Sequence, residues 1–440
     1  MVNSSELVNS TVSLKKTAPE QNANATSEEE EDLVHYEVFM NSTKYYSNLC
    51  WNLTYDHGVH WYGAPANLKQ HWPIDPTLEI REQPYQTSGF FKNSTGSLVE
   101  YVWFSSSGYL VFVERDVPLF ISLENGVLCL SAKNNVHPYN AQPSKKSQPE
   151  RAPFKAHIIV SKSIKDAYLY YLESFVERPQ RSPNPAIYSS NIWSTWVKFK
   201  MNINQQNLLE FAKNISKYGF TKYGSIFEVR AGFCISILSR NSLAMTKLTE
   251  LTELTELTVI TFQIDDKWES SYGNWRFDKA RFPDAKQMIG EIKKLGFNTS
   301  VWLTPFFSPD ENQLDAEERD FMVKDTNTRQ SKKLDWWNGK NATVLDPTNP
   351  RARRWFIKRV RKLLNEYGLD TFKADAGEIS WMKTPFKLAL KEADLAPNKF
   401  SEYISFMISQ FENTSSIELR TGFNRWVPGS TERPVDSLIL

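Results

Sequence analysis

Residues 350 to 378 run through a helix pattern, a stop, a short apolar run and a carboxylate, and that order restricts the fold more than any other stretch. Trp355, Phe356, Val360, Leu363, Leu364 and Tyr367 recur at helical spacing, with Pro350 at the first helical position and Asn349 before it as a cap. Tyr367-Gly368 is a stop signal, and the run Leu369 to Ala374 then leads to Asp375, followed at once by Ala376-Gly377. Helix, tight turn, buried strand and acid make one unit of a βα-repeat protein. In a (β/α)8 barrel the chemistry sits where strands end, on the C-terminal face, and Asp375 occupies such a position. Read alone, the same Asp serves equally well as a helix N-cap.

The unit recurs. The pattern predicts a strand at Trp196 to Phe199 and a helix over Gln205 to Tyr218, closed by Gly219. A strand then begins at Ser225 to Phe227, and a helix spans Ala285 to Leu295, ended by Gly296. Strand Thr299 to Thr304, helix Ser401 to Phe411 and strand Ile417 to Thr421 complete the series. Residues 186–440 are therefore expected to form a partial (β/α)8 barrel. Residues 35–185 read differently. Short alternating runs such as Leu98 to Phe104, Tyr109 to Val113 and Val127 to Leu130, divided by Gly, Asn, Ser and Pro, predict a β-sandwich. Residues 1–34 are polar, carry the acidic run Glu28 to Asp32, and are expected to be a disordered tail.

Composition narrows the function. A net charge of +1 without a basic stripe gives no support to a nucleic-acid partner. No run of eighteen apolar residues appears, so the expectation is membrane attachment only through an anchor outside this chain. Ten Asn-X-Ser/Thr sequons, at Asn3, Asn9, Asn24, Asn41, Asn52, Asn93, Asn214, Asn298, Asn341 and Asn413, favour a lumenal or extracellular address. Three cysteines (Cys50, Cys129, Cys234) allow at most one internal disulfide. No Cys/His spacing suggests zinc, and no cofactor is expected. The oligomeric state stays open, a homodimer included. Fourteen Trp and eighteen Tyr supply flat faces suited to sugar rings, though such residues also fill ordinary cores.

Further candidates fall at expected strand ends. Asp265 and Asp266 follow an apolar run, Trp336 and Trp337 lie in a loop before the helix at Pro350, and Arg420 ends the strand after Asp375. Lys373 shares the face of Asp375, two residues earlier on the same strand. Acids, bases and indoles together suit a neutral polyol, although Asp266 or Arg420 alone reads as readily as a structural ion-pair member.

The stretches WSTW (193–196), IDDKWESSYGNWRFDKARFPD (264–284), VWLTPF (301–306), WW (336–337) and FKADAGE (372–378) together resemble glycoside hydrolase family 31, over about residues 90–425. The likeness is greatest to its myogenesis-regulating glycosidase branch. The resemblance implies a retaining α-glycosidase with an N-terminal β-sandwich, a (β/α)8 barrel and C-terminal β-domains. The branch implies a type II membrane protein acting on α-galactosides. It places the nucleophile on Asp375 and substrate acids on Asp265 and Asp266. Trp336 or Trp337 becomes the sugar wall, and Lys373 and Arg420 bind hydroxyls. Such chemistry needs a second carboxyl to protonate the leaving oxygen. The family position for it matches Asp436, sixteen residues after Arg420, without the Trp expected nearby. By the same resemblance, barrel strands six to eight have no sequence here, so the chain as written is expected to be poorly folded and inactive.

One segment breaks the pattern. Val229 to Gln263 contains the repeat LTELTELTELT, Leu248 to Thr258, whose leucines drift round a helix instead of forming a stripe. Removing it joins YGSIFE directly to IDDKWE. Val-Arg and Phe-Gln at its ends can be encoded by splice-site-like sequences, so residues 229–263 read as a retained intron 35 codons long. A surface insertion in a barrel loop is the alternative. The rival functions are a glycan-binding protein without turnover and an α-glucosidase of the same family.

Overall fold

The structure, a computed structural model, describes residues 10–17, 33–42, 46–55, 58–63, 71–89, 95–133, 138–139, 154–176, 191–221, 260–309, 314–382, 386–390, 397–411, 417–423 and 430–432. Asp436, Cys234, Ser225 to Phe227 and the repeat at 248–258 lie outside these residues.

Alternation of apolar residues gives the N-terminal half two antiparallel sheets. One has six strands in the order Ser10–Thr17, Leu33–Ser42, Phe154–Ser161, Tyr109–Val113, Val102–Ser105 and Trp61–Gly63. The other has four, in the order Tyr46–Asn52, Val127–Lys133, Leu119–Glu124 and Ile80–Pro84. Leu119, Ile121 and Leu123 face Val111, Val113 and Phe154 in a shared core, the packing expected when strands present every second residue inward. Cys50 and Cys129, cross-strand partners, are joined by a disulfide. Helix Ile164–Phe175, capped by Ser163, lies against Leu110, Phe112 and Ile159 on the other face of the larger sheet. Within the tail expected to be disordered, Ser10–Thr17 pairs residue for residue with Leu33–Ser42. The alternation of Val12 and Leu14 with polar residues fits a strand, and a free sheet edge supplies its ladder.

The C-terminal half is an incomplete (β/α)8 barrel. Among the described residues its parallel sheet has six strands in chain order: Ile192–Ser194, Ile260–Ile264, Phe297–Leu303, Thr371–Ala374, Ile417–Leu419 and Ser430–Glu432. Helices Gln205–Lys217, Ala285–Lys294, Pro350–Tyr367 and Lys399–Ser409 connect them. Their starts use side-chain caps where the sequence offers them: Asn204 in a capping box, Asp284, and Asn349 ahead of Pro350. Gly368 ends its helix at φ 72°, a left-handed turn that drops the chain into the next strand. Helix Pro350–Tyr367 buries Phe356, Val360, Leu363 and Leu364, the stripe its spacing predicts.

Further expectations change, the first being the strand count: Ser430–Glu432 adds a sixth strand, parallel to Ile417–Leu419, to a sheet expected to hold five. Trp196 to Phe199 is a helix, Thr195–Phe199, and the strand stops before it at Ile192–Ser194. Trp196 and Phe199 stand three apart, which suits one helix face, and Thr195 ends the strand because its hydroxyl accepts the Asp265 N–H at 3.0 Å. The strand that delivers Asp265 is Ile260–Ile264, so the last residues of the 229–263 segment enter the sheet, where Gln263 donates to Glu418.

The sandwich docks beside the barrel's C-terminal rim. Asn398 accepts the Thr87 N–H at 2.9 Å and donates to the Tyr85 carbonyl and the Tyr101 hydroxyl, each at 3.0 Å. Thr87 Oγ1 in turn accepts the Ile379 N–H at 3.0 Å, and strand Gly422–Phe423 pairs with Leu98–Val99. The loop that carries Asp375 is thereby held from both sides.

Candidate active site

A parallel sheet whose strands all point one way puts every strand-end residue on one rim. Asp265 and Asp266 follow Ile264, Asp375 follows Ala374, and Arg420 follows Leu419. They line a single cavity with Trp196, Trp302, Trp336, Trp337, Lys373, Ala376 and Trp381. Seven of the eight residues singled out from sequence meet there, and the eighth, Asp436, lies outside the described residues.

Each acid has distinct partners. The Asp265 carboxylate is buried against Lys373 Nζ at 2.9 Å, and both side chains are at most 4% exposed. Its other oxygen accepts the Asp266 N–H at 2.9 Å. Two cavity side chains are thus committed to each other. Asp266 is 1% exposed. Its Oδ2 accepts the Trp337 indole N–H at 2.8 Å and the Tyr272 hydroxyl at 3.2 Å, while Oδ1 is buried with no partner among the described residues. A buried acceptor left open costs free energy unless something donates to it, so Oδ1 retains capacity for a further donor.

Among the described residues Asp375 receives donors from Arg420, Ala376 and Trp302. Arg420 Nη1 lies 3.2 Å from Oδ1, the Ala376 N–H 2.9 Å from the same oxygen, and the Trp302 indole N–H 2.7 Å from Oδ2. Behind it the backbone turns sharply: Ala376 has φ 62° and Gly377 φ 102°. A Cβ on Gly377 would meet Thr421 at 2.6 Å, so only glycine fits there. A non-glycine residue in the left-handed region beside the acid is backbone strain of the sort that gathers at functional sites.

Aromatic side chains form the walls. Trp336 is buried and stacks on Phe306 at 4.2 Å between centroids, with Trp302 beyond it at 6.2 Å. Trp337 is 51% exposed and faces Trp196 at 5.8 Å. The pair expected in a plain loop instead sits on a hairpin: strand Leu334–Trp336, a turn at residues 337–338, and strand Gly339–Val344. Trp337 at φ 42° takes the positive-φ position that such a tight turn requires. Trp337 is thus the exposed wall, set against Trp196, and Trp336 a buried wall packed on Phe306.

Trp196, Trp302 and Trp381 were missed as site residues in the sequence. Trp302 carried a usable signal, because it pairs in register with Lys373 and shares that residue's inward parity. Behind the cavity, Glu269 accepts the Gly273 and Trp275 N–H groups at 2.8 and 3.1 Å. Burial pushes its carboxyl up to about 8; the two N–H bonds oppose this and the Asp266 charge adds to it. Burial and the Asp266 charge also push the Tyr272 phenol up, so it stays a donor to Asp266 at neutral pH. No cluster of metal-ligating side chains occurs among the described residues.

Comparison with known proteins bears on both halves. Residues 241–423 match a model described as the glycosyl hydrolases family 31 TIM-barrel domain, and residues 30–175 one described as the myogenesis-regulating glycosidase N-terminal domain. The myogenesis-regulating glycosidase of Mus musculus is 26% identical over 373 residues, covering 84% of this chain and 46% of that protein. The SITS-binding protein of Tetronarce californica is 23% identical over 328 residues, covering 72% of this chain and 39% of its own. This chain spans less than half the length of either. Among solved structures, a xylosidase from Aspergillus niger superposes with TM-score 0.61 at 13% identity, over 92% of this chain and 57% of that one. The Flavobacterium johnsoniae GH31 dextranase complexed with glucose gives 0.59 at 13% identity, over 90% and 47%.

Proposed function

Because the chain belongs to glycoside hydrolase family 31, we propose that its cavity takes the terminal sugar of an α-glycoside, an α-galactoside first, and that Asp375 attacks the anomeric carbon. The observation that carries this reading is the pairing, in one cavity, of Asp375 under three donors with the open acceptor Asp266 Oδ1. Hydroxyls fill the open acceptor, the Trp337 face covers the apolar side of the ring, and the sugar is thereby oriented over Asp375. The aspartate oxygen forms a bond to C1 as the C1–O bond to the leaving group breaks, and the leaving oxygen takes a proton from a second carboxyl. We assign that role to Asp436, sixteen residues after Arg420. Water then adds at C1 with the same carboxyl as base, which releases the sugar and restores Asp375. Asn52, Asn214 and Asn341 are exposed sequon asparagines, which supports a lumenal or extracellular site of action.

The test is covalent trapping. An α-galactosyl fluoride bearing a second fluorine at C5 needs no acid to expel fluoride, and the slowed second step leaves the sugar on the enzyme. The expected result is one added sugar on the peptide holding Asp375, lost in Asp375→Ala. The gluco-configured reagent labelling faster would replace galactose by glucose in this reading. Glycan binding with no adduct from either reagent would leave a lectin-like role.

A further inference from the structure

Glu378, the last residue of the FKADAGE stretch, is fully buried three residues after Asp375. The left-handed pair Ala376-Gly377 reverses the chain between them, so the two carboxylates flank one guanidinium. Arg420 Nε lies 2.7 Å from Glu378 Oε1, a close ion-pair contact, while Arg420 Nη1 reaches Asp375 Oδ1 at 3.2 Å. The second Glu378 oxygen accepts the indole N–H of Trp381, a cavity wall, at 2.9 Å.

This arrangement divides the guanidinium. Arg prefers to meet a carboxylate with two parallel N–H groups. With Glu378 Oε1 set against its Nε, an ion-pair contact without hydrogen-bond geometry, Arg420 reaches Asp375 through Nη1, and the same Asp375 oxygen also accepts the Ala376 N–H. A nucleophile clamped by a full bidentate Arg pair would be strongly stabilised as a free anion and correspondingly slow to attack. A second buried anion that takes up part of the Arg charge moderates that. Burial raises the Glu378 carboxyl, Arg420 opposes this and the Asp375 charge adds to it, so the two acids sense each other. A buried carboxylate without this task would be costly to keep beside another acid.

We infer that Glu378 is a positioning residue that holds the Arg420 guanidinium to a one-contact approach on Asp375 and locks Trp381 as the wall above it. The inference rests on the reading of Asp375 as the nucleophile. It is tested on the full chain with Glu378→Gln, which keeps shape and loses charge, and Glu378→Asp, which keeps charge and loses reach. The readout is the rate at which the difluoro sugar labels Asp375, followed against pH. The Gln variant is expected to label roughly ten- to hundredfold slower than the unchanged chain. Its acid limb should lie at lower pH, because a negative neighbour of Asp375 is gone and Arg420 turns fully to it. The Asp variant should recover part of the rate. Labelling of the Gln variant at the unchanged rate with an unmoved acid limb overturns the inference, whatever its melting temperature. Absence of label in the unchanged chain would sink the nucleophile reading instead. The positioning claim would then be decided by crystal structures, in which the Gln variant must show Arg420 re-paired or Trp381 turned, and unmoved side chains would refute it.

Discussion

The sandwich and the barrel each hold a largely buried chain of titratable side chains, and among the described residues the barrel's lines a cavity. In the sandwich, Tyr170 Oη lies 3.3 Å from His35 Nδ1, His35 Nε2 3.0 Å from His157 Nδ1, and His157 Nε2 3.0 Å from Glu114 Oε1. Every imidazole nitrogen is occupied, and Phe112 stacks on His157 at 4.2 Å between centroids. The barrel buries Lys373 against Asp265 and Arg420 between two acids just as deeply, yet Asp266, which lines the cavity, keeps Oδ1 without a partner among the described residues. Burial and pairing are therefore common to strut and site. An unfilled acceptor next to a space is what separates them.

The largest effect that would sharpen this contrast is on stability. Lys373→Met leaves the Asp265 charge buried without its cation and is expected to cost about 3–5 kcal/mol by chemical denaturation. Glu114→Gln in the sandwich removes a half-exposed acceptor and should cost under about 1 kcal/mol. The double change Lys373→Met with Asp265→Leu should regain most of the stability while abolishing sugar binding. If it does not, the pair is a strut like the histidine chain, and the contrast fails.

Next comes pH, where the two halves should move in opposite directions. Glu269 holds its proton up to about 8 when folded, whereas an unfolded Glu releases it near 4.5. The folded barrel therefore loses stability as pH rises through that window, by roughly 3 kcal/mol at pH 7. Burial, reinforced by the neighbouring His157, lowers the His35 value, so its contribution is full above the ordinary histidine range and is lost as pH falls through it. The His157 hydrogen bond holds Glu114 low, so that contribution too is present above the unfolded value and lost on further acidification. Hydrogen exchange followed by mass spectrometry at pH 5.5 and 7.5 should show barrel peptides better protected at the lower pH and sandwich peptides less so. Glu269→Gln should flatten the barrel's response. Parallel loss of protection in both halves at low pH would contradict this.

The strand-end acids were legible because a barrel converts sequence position into place. Asp265, Asp375 and Arg420 are each the first residues after a short apolar run, and parallel strands bring such residues to one rim. Two devices were not legible in the same way. Thr195 ends its strand to hold the Asp265 N–H, a contact between residues seventy apart that no local pattern announces. The tail strand Ser10–Thr17 depends on a sheet edge built by residues far along the chain. Glu378 stood in view within FKADAGE, but its partner Arg420 comes from the next strand, so only the fold shows what it holds.

A smaller effect, on rate alone, is expected at Trp302. Its indole N–H donates to Asp375 Oδ2 at 2.7 Å, and the ring is buried between Trp336 and Tyr272. Trp302→Phe keeps most of the packing and removes the donor. Labelling of Asp375 should change by roughly tenfold, the worth of one hydrogen bond to a charged group, with a melting temperature shifted by only a few degrees. A change confined to stability would make Trp302 a packing residue, on the strut side of the comparison.

The smallest effect is expected at the tip of the hairpin that carries both wall tryptophans. Lys340 Nζ lies 3.0 Å from Asp335 Oδ2, and the two side chains are 77% and 54% exposed. Such a pair gains little Coulomb energy in water and orders two mobile side chains, so Lys340→Ala should cost under about 0.5 kcal/mol and leave sugar binding unchanged. Asp335 differs, because its other oxygen accepts the Asn341 N–H at 3.0 Å and so closes the turn that sets Trp337 over the cavity. Asp335→Ala should therefore weaken binding of an α-galactoside analogue, read by calorimetry, more than Lys340→Ala does. Equal effects from the two changes would mean that surface charge, and not the turn, places the wall.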